Sequence, residues 1–523
     1  VAHSAAISAC ERSMQWERAL ELFQEMQEGA LDPSVISYNA AISAAKKGRQ
    51  WAQALHFLGE LLARGLRPQA SSYNMAIAAC SGCDQWASAF RLYEEMLAQG
   101  LAPEALSYST LLMECEQRGC VGREVRLMRR LAQTDLSAVA ACLGAAAATA
   151  AVSRLRAEGR QKAASLVFEE AKAEGLTSAA LLHLMAAAVP DGLRPAGAFL
   201  GPQSVPLGIP YAKELRLLRH VLTSAQPGSP AAACAAVEDF GATVLGPSQD
   251  WLKVAGGAKA LALAAAVRGA PPGGAVLEIG AYCGYSALRL ALAVPGVRVI
   301  SLEVDPAHVL IARNVLAFAG LARAVRVLTG HSGDLLPQLA AHRGGPGPGG
   351  ALSAVFMDQR GSLYGRDLDT LEARGLLRLP GAVCVADNVL KPGAPLFLRQ
   401  IMLGGSYQSQ LVTVQEFAMP SEDWMSLCVS KPSTGVMKPT VAETRPGEEP
   451  QFEDLPPDDP LQELLTLNWE ADRMRERATG PGRSVTFEEW AEFAEKMRQR
   501  CAAHDICVTS QATMPRPRYE RRK

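Results

Sequence analysis

Trp16, Trp51 and Trp86 stand 35 residues apart, and so do Pro33, Pro68 and Pro103. A fixed period of this length constrains the fold more than anything else in the chain. It marks a unit that cannot bury its own apolar face and must stack on copies of itself. Ala19, Ala54 and Ala89 recur at the same spacing, as do Met26, Leu61 and Met96, and the units open at Tyr38-Asn39, Tyr73-Asn74 and Tyr108-Ser109. Ala19, Leu22, Phe23 and Met26 follow the i, i+3, i+4, i+7 rule, so each unit predicts a helical hairpin and the array an α-solenoid.

Charge narrows what such an array can hold. The 523 residues carry 52 Lys and Arg against 53 Asp and Glu, and residues 1–140 carry 13 against 15, so no basic field draws in nucleic acid. The most apolar run, Ser137–Val152, is mostly Ala and shorter than the roughly 18 residues of a membrane span, so no membrane partner is expected. Twelve cysteines are scattered along the chain and read as free thiols of a reducing compartment, cytoplasmic or organellar. The single C-x-x-C, Cys80 and Cys83, falls in the columns of Ala45 and Gly48, where helices touch, and reads as packing.

From Lys213 the texture changes to short β-branched runs alternating with amphipathic helices. The candidate strands are Ala275–Ile279, Val297–Glu303, Val325–Leu328, Ala354–Met357 and Ala382–Ala386, which predict a parallel-rich, Rossmann-like α/β sheet with helices on both faces. The chain is thus expected to be multidomain: helical repeats over 1–185, a linker over 186–212 with five Pro and four Gly, an α/β domain over 213–431, a disordered Pro-rich acidic linker over 432–460, and a short helical tail with a basic end over 461–523. In the tail, Thr486 and Glu489 form a capping box before a helix whose Phe487, Trp490, Phe493, Ala494 and Met497 share one face. That helix is expected to dock on its own protein.

Ligands in such sheets sit beyond the carboxyl ends of the strands. After the first strand, Gly280 and Gly284 let the backbone turn tightly before a helix N-terminus, in a spacing unlike that of dinucleotide enzymes. The second strand ends in Glu303, placed to accept hydrogen bonds from ribose hydroxyls. The fourth ends in Asp358 and the fifth in Asp387-Asn388, three oxygen donors suited to a hard cation such as Mg²⁺.

The repeats resemble the pentatricopeptide repeat family. That resemblance implies an RNA or protein partner, with Asn39 paired with Gln69, and Asn74 with Glu104, in the base-reading columns. The runs Val276-Leu-Glu-Ile-Gly-Ala-Tyr-Cys-Gly-Tyr-Ser286 and Ala386-Asp-Asn-Val-Leu-Lys-Pro-Gly-Ala-Pro395, with Trp251-x-x-x-x-Gly256-Gly-Ala-Lys259 before them, closely resemble the catechol O-methyltransferase family. The resemblance implies Mg²⁺-dependent transfer of a methyl group from S-adenosylmethionine to a hydroxyl of a small catechol-like phenol. It further implies that Ala255, Glu278, Gly280, Tyr282, Gly284, Ser286, Glu303, Ser332 and Asp358 line the cofactor site. Asp358, Asp387 and Asn388 match the metal ligands, while Trp251, Asn388 and Pro392 match the substrate site.

One column departs from the family. Where it carries a catalytic Lys, three residues after the metal Asp, this chain has Gly361, preceded by Arg360. Lys391 is the expected substitute base, and Arg360 is expected to stabilise a phenolate or favour an acidic ring substituent. Tyr407–Asp423 reads as carrying an insertion, with Glu416 the nearest match to a family carboxylate that binds the second hydroxyl and Val412 the ungapped one. The alternative function is a repeat-based RNA or protein adaptor whose methyltransferase domain is catalytically impaired by Gly361.

Overall fold

The computed structural model describes residues 6–8, 10, 15–29, 32–83, 85–103, 105–118, 120, 123, 126–127, 130, 161, 164, 211–245, 252, 254–340, 351–417, 421–432, 460–479 and 485–511. Trp251, Glu104, the interdomain linkers and the basic end lie outside them. The period folds as hairpins: α1 (Trp16–Glu28), α2 (Val35–Lys47), α3 (Trp51–Ala63), α4 (Ala70–Gly82), α5 (Trp86–Ala98) and α6 (Ala105–Arg118). Repeated aromatic positions make the unit-to-unit core. The Phe23 ring meets Tyr38 and Phe57 edge-on at 5.1 Å each, and Tyr93 meets Tyr108 the same way at 5.9 Å. Cys80 is fully buried in this core, as its column predicts.

Beyond residue 210 come α7 (Ala212–Ser224), α8 (Pro230–Asp239) and α9 (Ala258–Arg268). The sheet then begins with β1 (Ala275–Ile279), α10 (Tyr285–Ala293), β2 (Val299–Glu303), α11 (Pro306–Phe318), β3 (Val325–Thr329) and the single turn α12 (Ser332–Leu335). It continues through β4 (Leu352–Met357), α13 (Tyr364–Ala373), β5 (Val383–Ala386), α14 (Pro395–Leu403), β6 (Tyr407–Gln415) and β7 (Glu422–Ser430). With a last short strand β8 (Ser510–Gln511), the strand order is β3-β2-β1-β4-β5-β7-β6-β8, parallel through β5 and antiparallel where β7 enters. All residues of β1, β2, β4 and β5 are buried, the pattern of strands covered on both faces.

The hairpin β6–β7 is new relative to the sequence reading: the apparent insertion is its tip, where Glu416 N–H donates to the Ser421 carbonyl at 2.8 Å. The tail forms α15 (Pro460–Thr479), α16 (Phe487–Ala503) and β8 (Ser510–Gln511), which adds to β6 at the sheet edge. Phe493, Ala494 and Met497 of α16 are buried against the α/β domain, and the Thr486–Glu489 capping box forms. Phe487 is the exception. It is the first residue of the helix and is 70% exposed, while Trp490 is half-buried. At the opposite end, Met113 of α6 packs with Leu328 and Leu335, so the solenoid touches the β3 side of the sheet.

Candidate active site

The turn after β1 and the turn after β4 are pressed together. Gly280 has φ +99°, and a Cβ there would sit 2.7 Å from the carbonyl oxygen of Asp358, so only glycine allows the approach. Asp358 N–H donates to Ile279 at 2.9 Å, and Asp387 N–H donates to Met357 at 3.0 Å. Strand register therefore sets Gly280, Asp358 and Asp387 side by side.

On the β1–β2 side, Glu303 Oε2 accepts from Tyr282 N–H at 2.7 Å and Oε1 from Asp305 N–H at 2.9 Å. Each carboxylate oxygen keeps a lone pair for a further donor. Tyr282 takes a left-handed backbone (φ +45°), and its hydroxyl donates to Glu214 at 2.6 Å. Glu278 is buried: Oε2 accepts from Ser301, while Oε1 has no partner among the described residues. Burial pushes this carboxyl up to about 7. An orphaned buried acceptor of this kind fits a ligand ammonium, such as the amino group of S-adenosylmethionine. Ser286 and Ser332 are buried nearby at the starts of α10 and α12, and Ala255 lies buried in the segment leading to α9.

On the β4–β5 side, the side chains converge on a buried ammonium. Lys259 is 1% exposed and reaches Asp387 at 2.9 Å, Glu416 at 2.8 Å and Asp423 at 3.4 Å. Asn388, in the left-handed region at φ +54°, donates its side-chain amide to Asp423 at 2.7 Å and Glu416 at 3.2 Å. Its carbonyl oxygen is left as the donor atom for a ligand. Asp423 is a residue the sequence reading missed. It also accepts from the backbone of Leu390, Lys391 and Trp424, and so fixes the turn carrying Asn388. No motif announces it, since its side-chain partners Asn388 and Lys259 lie 35 and 164 residues away. Phe417, also missed, lays its ring against Gly241 and Gly256.

Burial first, then the field of Asp387, holds Asp358 well above the ordinary carboxylate range; burial also raises Asp387, against the pull of Lys259. Glu416 is pushed up to about 8 by burial. Four carboxylates, Asp358, Asp387, Glu416 and Asp423, thus share three cationic groups, Lys259, Lys391 and the Arg475 guanidinium. Asp358, Asp387 and the Asn388 carbonyl oxygen are oxygen donors suited to a hard divalent cation, which would offset the crowding of carboxylates that raises Asp358. No group of three or more His, Cys, Asp or Glu side chains is already gathered as a metal centre among the described residues.

Gly361 and Arg360 explain the departure. A Cβ on Gly361 would stand 2.5 Å from the Gly393 carbonyl oxygen, so no side chain fits that column. Arg360 does not face the pocket as a free cation. It is paired with Asp472 at 2.8 Å and Glu476 at 3.1 Å, both on α15, which corrects its expected role toward substrate. Lys391 binds Ser421 and is partly desolvated, which lowers its pKa. Pro392 follows it, half-buried. In the repeats, Asn39 accepts from Ser72 at 2.6 Å and Asn74 from Ser107, so both side chains tie one unit to the next.

This sheet and this pair of adjoining turns define an S-adenosylmethionine-dependent O-methyltransferase. A family described as O-methyltransferase matches residues 258–396, and pentatricopeptide repeat families match 2–48, 21–83 and 68–116. The chain is 39% identical over 197 residues to catechol O-methyltransferase of Mus musculus, covering 38% of this chain and 70% of that one. It is 36% identical over 195 residues to catechol O-methyltransferase B of Danio rerio (37% and 70%), and 34% identical over 200 residues to transmembrane O-methyltransferase of Homo sapiens (38% and 65%). Through this domain the chain belongs to the catechol O-methyltransferase family, with pentatricopeptide repeats ahead of it. No helix among the described residues is long and apolar enough to cross a membrane.

Proposed function

We propose that the protein moves a methyl group from S-adenosylmethionine to one hydroxyl of a catechol-like phenol with the help of Mg²⁺. The observation that carries this reading is the convergence of Asp358, Asp387 and Asn388 beside the Gly280 turn, among carboxylates that outnumber the cationic groups. When bound, S-adenosylmethionine would supply an electrophilic methyl, and Mg²⁺ held by Asp358, Asp387 and Asn388 would supply the Lewis acidity that lowers a hydroxyl pKa. The chain does the rest by alignment. Glu303 accepts from the ribose hydroxyls, and the orphaned Glu278 oxygen accepts from the methionine ammonium. Asp423 and Lys259 hold Asn388 and Asp387 in place. Glu416, whose raised pKa keeps a share of it protonated near neutrality, contacts the second hydroxyl. Lys391, with its lowered pKa, takes the proton from the reacting one. Pro392 and Trp251 wall the ring.

The repeats act as a platform for a protein or RNA partner. A scaffold role is supported by the packing of Met113 on the sheet and by the inter-unit bonds of Asn39 and Asn74.

The test is product analysis with labelled S-adenosylmethionine, offering a catechol and the matching monophenol, with and without a chelator. The proposal expects a methylated catechol only, lost on chelation. Equal transfer to the monophenol, or no transfer to either despite cofactor binding, contradicts it.

A further inference from the structure

The residues that hold the turn after β4 come from the far end of the chain. Asp472 of α15, buried, accepts from Arg360 Nε at 2.8 Å and from the Ser362 hydroxyl at 2.9 Å. One helical turn on, Arg475 donates to the Gln359 carbonyl at 3.1 Å, and Glu476 takes the other side of the Arg360 guanidinium. Three of the four residues 359–362, namely 359, 360 and 362, are thus each bonded to α15. They flank Gly361, the position that has no room for a side chain, and they follow directly on Asp358. The field of Asp358 and Tyr364 acts on Arg475 against its own desolvation, so the positive charge lies within reach of the metal-binding turn. The helix is not free to drift. Leu464, Leu465, Leu467 and Ala471 are buried, and β8 ties the end of the hairpin to β6 through Thr509, whose N–H donates to Leu411 at 2.8 Å.

We propose that the C-terminal helical hairpin is a working part of the acceptor half of the active site, with Arg475 and Asp472 as positioning residues that hold the 358–362 turn for the phenol. This rests on the methyltransferase reading above. A catalytic side chain at position 361 could anchor this turn by contacting the substrate. Glycine cannot, and the clasp from α15 fixes the same backbone from outside. The cofactor half, built on Glu303 and Tyr282, makes none of these bonds, so the two substrates respond differently when the clasp is cut.

The experiment uses the full chain and the variants Arg475→Gln, Asp472→Asn and Arg475→Lys. KM for catechol and for S-adenosylmethionine is measured for each, with hydrogen exchange of the peptide spanning 358–364, where Leu363 N–H donates to the Arg360 carbonyl. Arg475→Gln and Asp472→Asn are expected to raise the catechol KM about tenfold, the size of one charge-assisted hydrogen bond, and to leave the cofactor KM within about twofold. Both speed exchange in the peptide, and Arg475→Lys restores most of the loss. Unchanged catechol KM and exchange in both variants overturns the proposal. So does a parallel rise of both KM values with a fall in Tm, the mark of a merely structural contact. If the wild type transfers no methyl group to any phenol, the functional reading fails, and exchange of the turn then decides on the clasp by itself.

Discussion

The two halves of the proposed site are built in opposite ways. The cofactor half is mostly local. Gly280, Tyr282, Gly284 and Ser286 sit in one run of seven residues, and Glu303 closes on Tyr282 from the next strand. The acceptor half gathers Lys259, Asp358, Asn388, Glu416, Asp423 and Arg475 across more than 200 residues of chain, and only the folded sheet brings them together. A local half is held by backbone geometry and tolerates loss of a side chain. A dispersed half is held by buried charge, so a single deletion leaves its partners uncompensated.

The sharpest way to break this contrast is Lys259→Met. Removing the ammonium strands Asp387, Glu416 and Asp423 in a dry site, and the expected cost is about 3–5 kcal/mol, the usual penalty for breaking a buried ion pair. Thermal or denaturant unfolding would show it as a large fall in stability. An unchanged midpoint would mean the cluster is not held by charge.

Glu303→Gln is the matching change in the cofactor half. It keeps the backbone hydrogen bonds from Tyr282 and Asp305 in part and should leave the unfolding midpoint close to wild type. The carboxylate's bonds to the ribose, at about 1.5–3 kcal/mol for a charged partner, should be lost, weakening cofactor binding roughly ten- to a hundredfold by calorimetry. A stability loss as large as that of Lys259→Met would erase the distinction between the halves.

The smallest effect is one of pH. Glu278 has been pushed up to about 7 by burial, and the ionised form is the one that accepts from an ammonium. Affinity for S-adenosylmethionine should be flat above pH 7 and fall as pH drops below it, approaching tenfold per unit. Glu278→Gln should bind more weakly and lose that slope between pH 6 and 8, whereas a slope that survives in the variant would assign it to another group.

The same contrast explains what could be read from the sequence. Strand β1 falls on the expected Ala275–Ile279, because a buried parallel strand is an apolar run, here broken only by Glu278 and bounded by glycine. Strand β2 begins at Val299, two residues later than expected, because Val297 N–H turns back to the Val294 carbonyl. The repeats were legible from their period alone. The β6–β7 hairpin was not, since its polar and apolar residues do not mark its tip, and the tip carries Glu416 and Phe417. Asp423 and the clasp on Arg360 were invisible for the same reason. Asp423 pairs with Asn388 35 residues away and Lys259 164 away, and Ser362 and Asp472 of the clasp are 110 apart, spacings that no local pattern encodes.

The most direct measurement is methyl transfer and cofactor binding by Asp387→Ala. A site of two separately built halves predicts that the variant binds S-adenosylmethionine within about twofold of wild type, while Mg²⁺-dependent transfer to a catechol falls by at least about a hundredfold, as expected when a metal-holding group is lost. Transfer that persists without Asp387, or cofactor binding that disappears with it, would contradict that division.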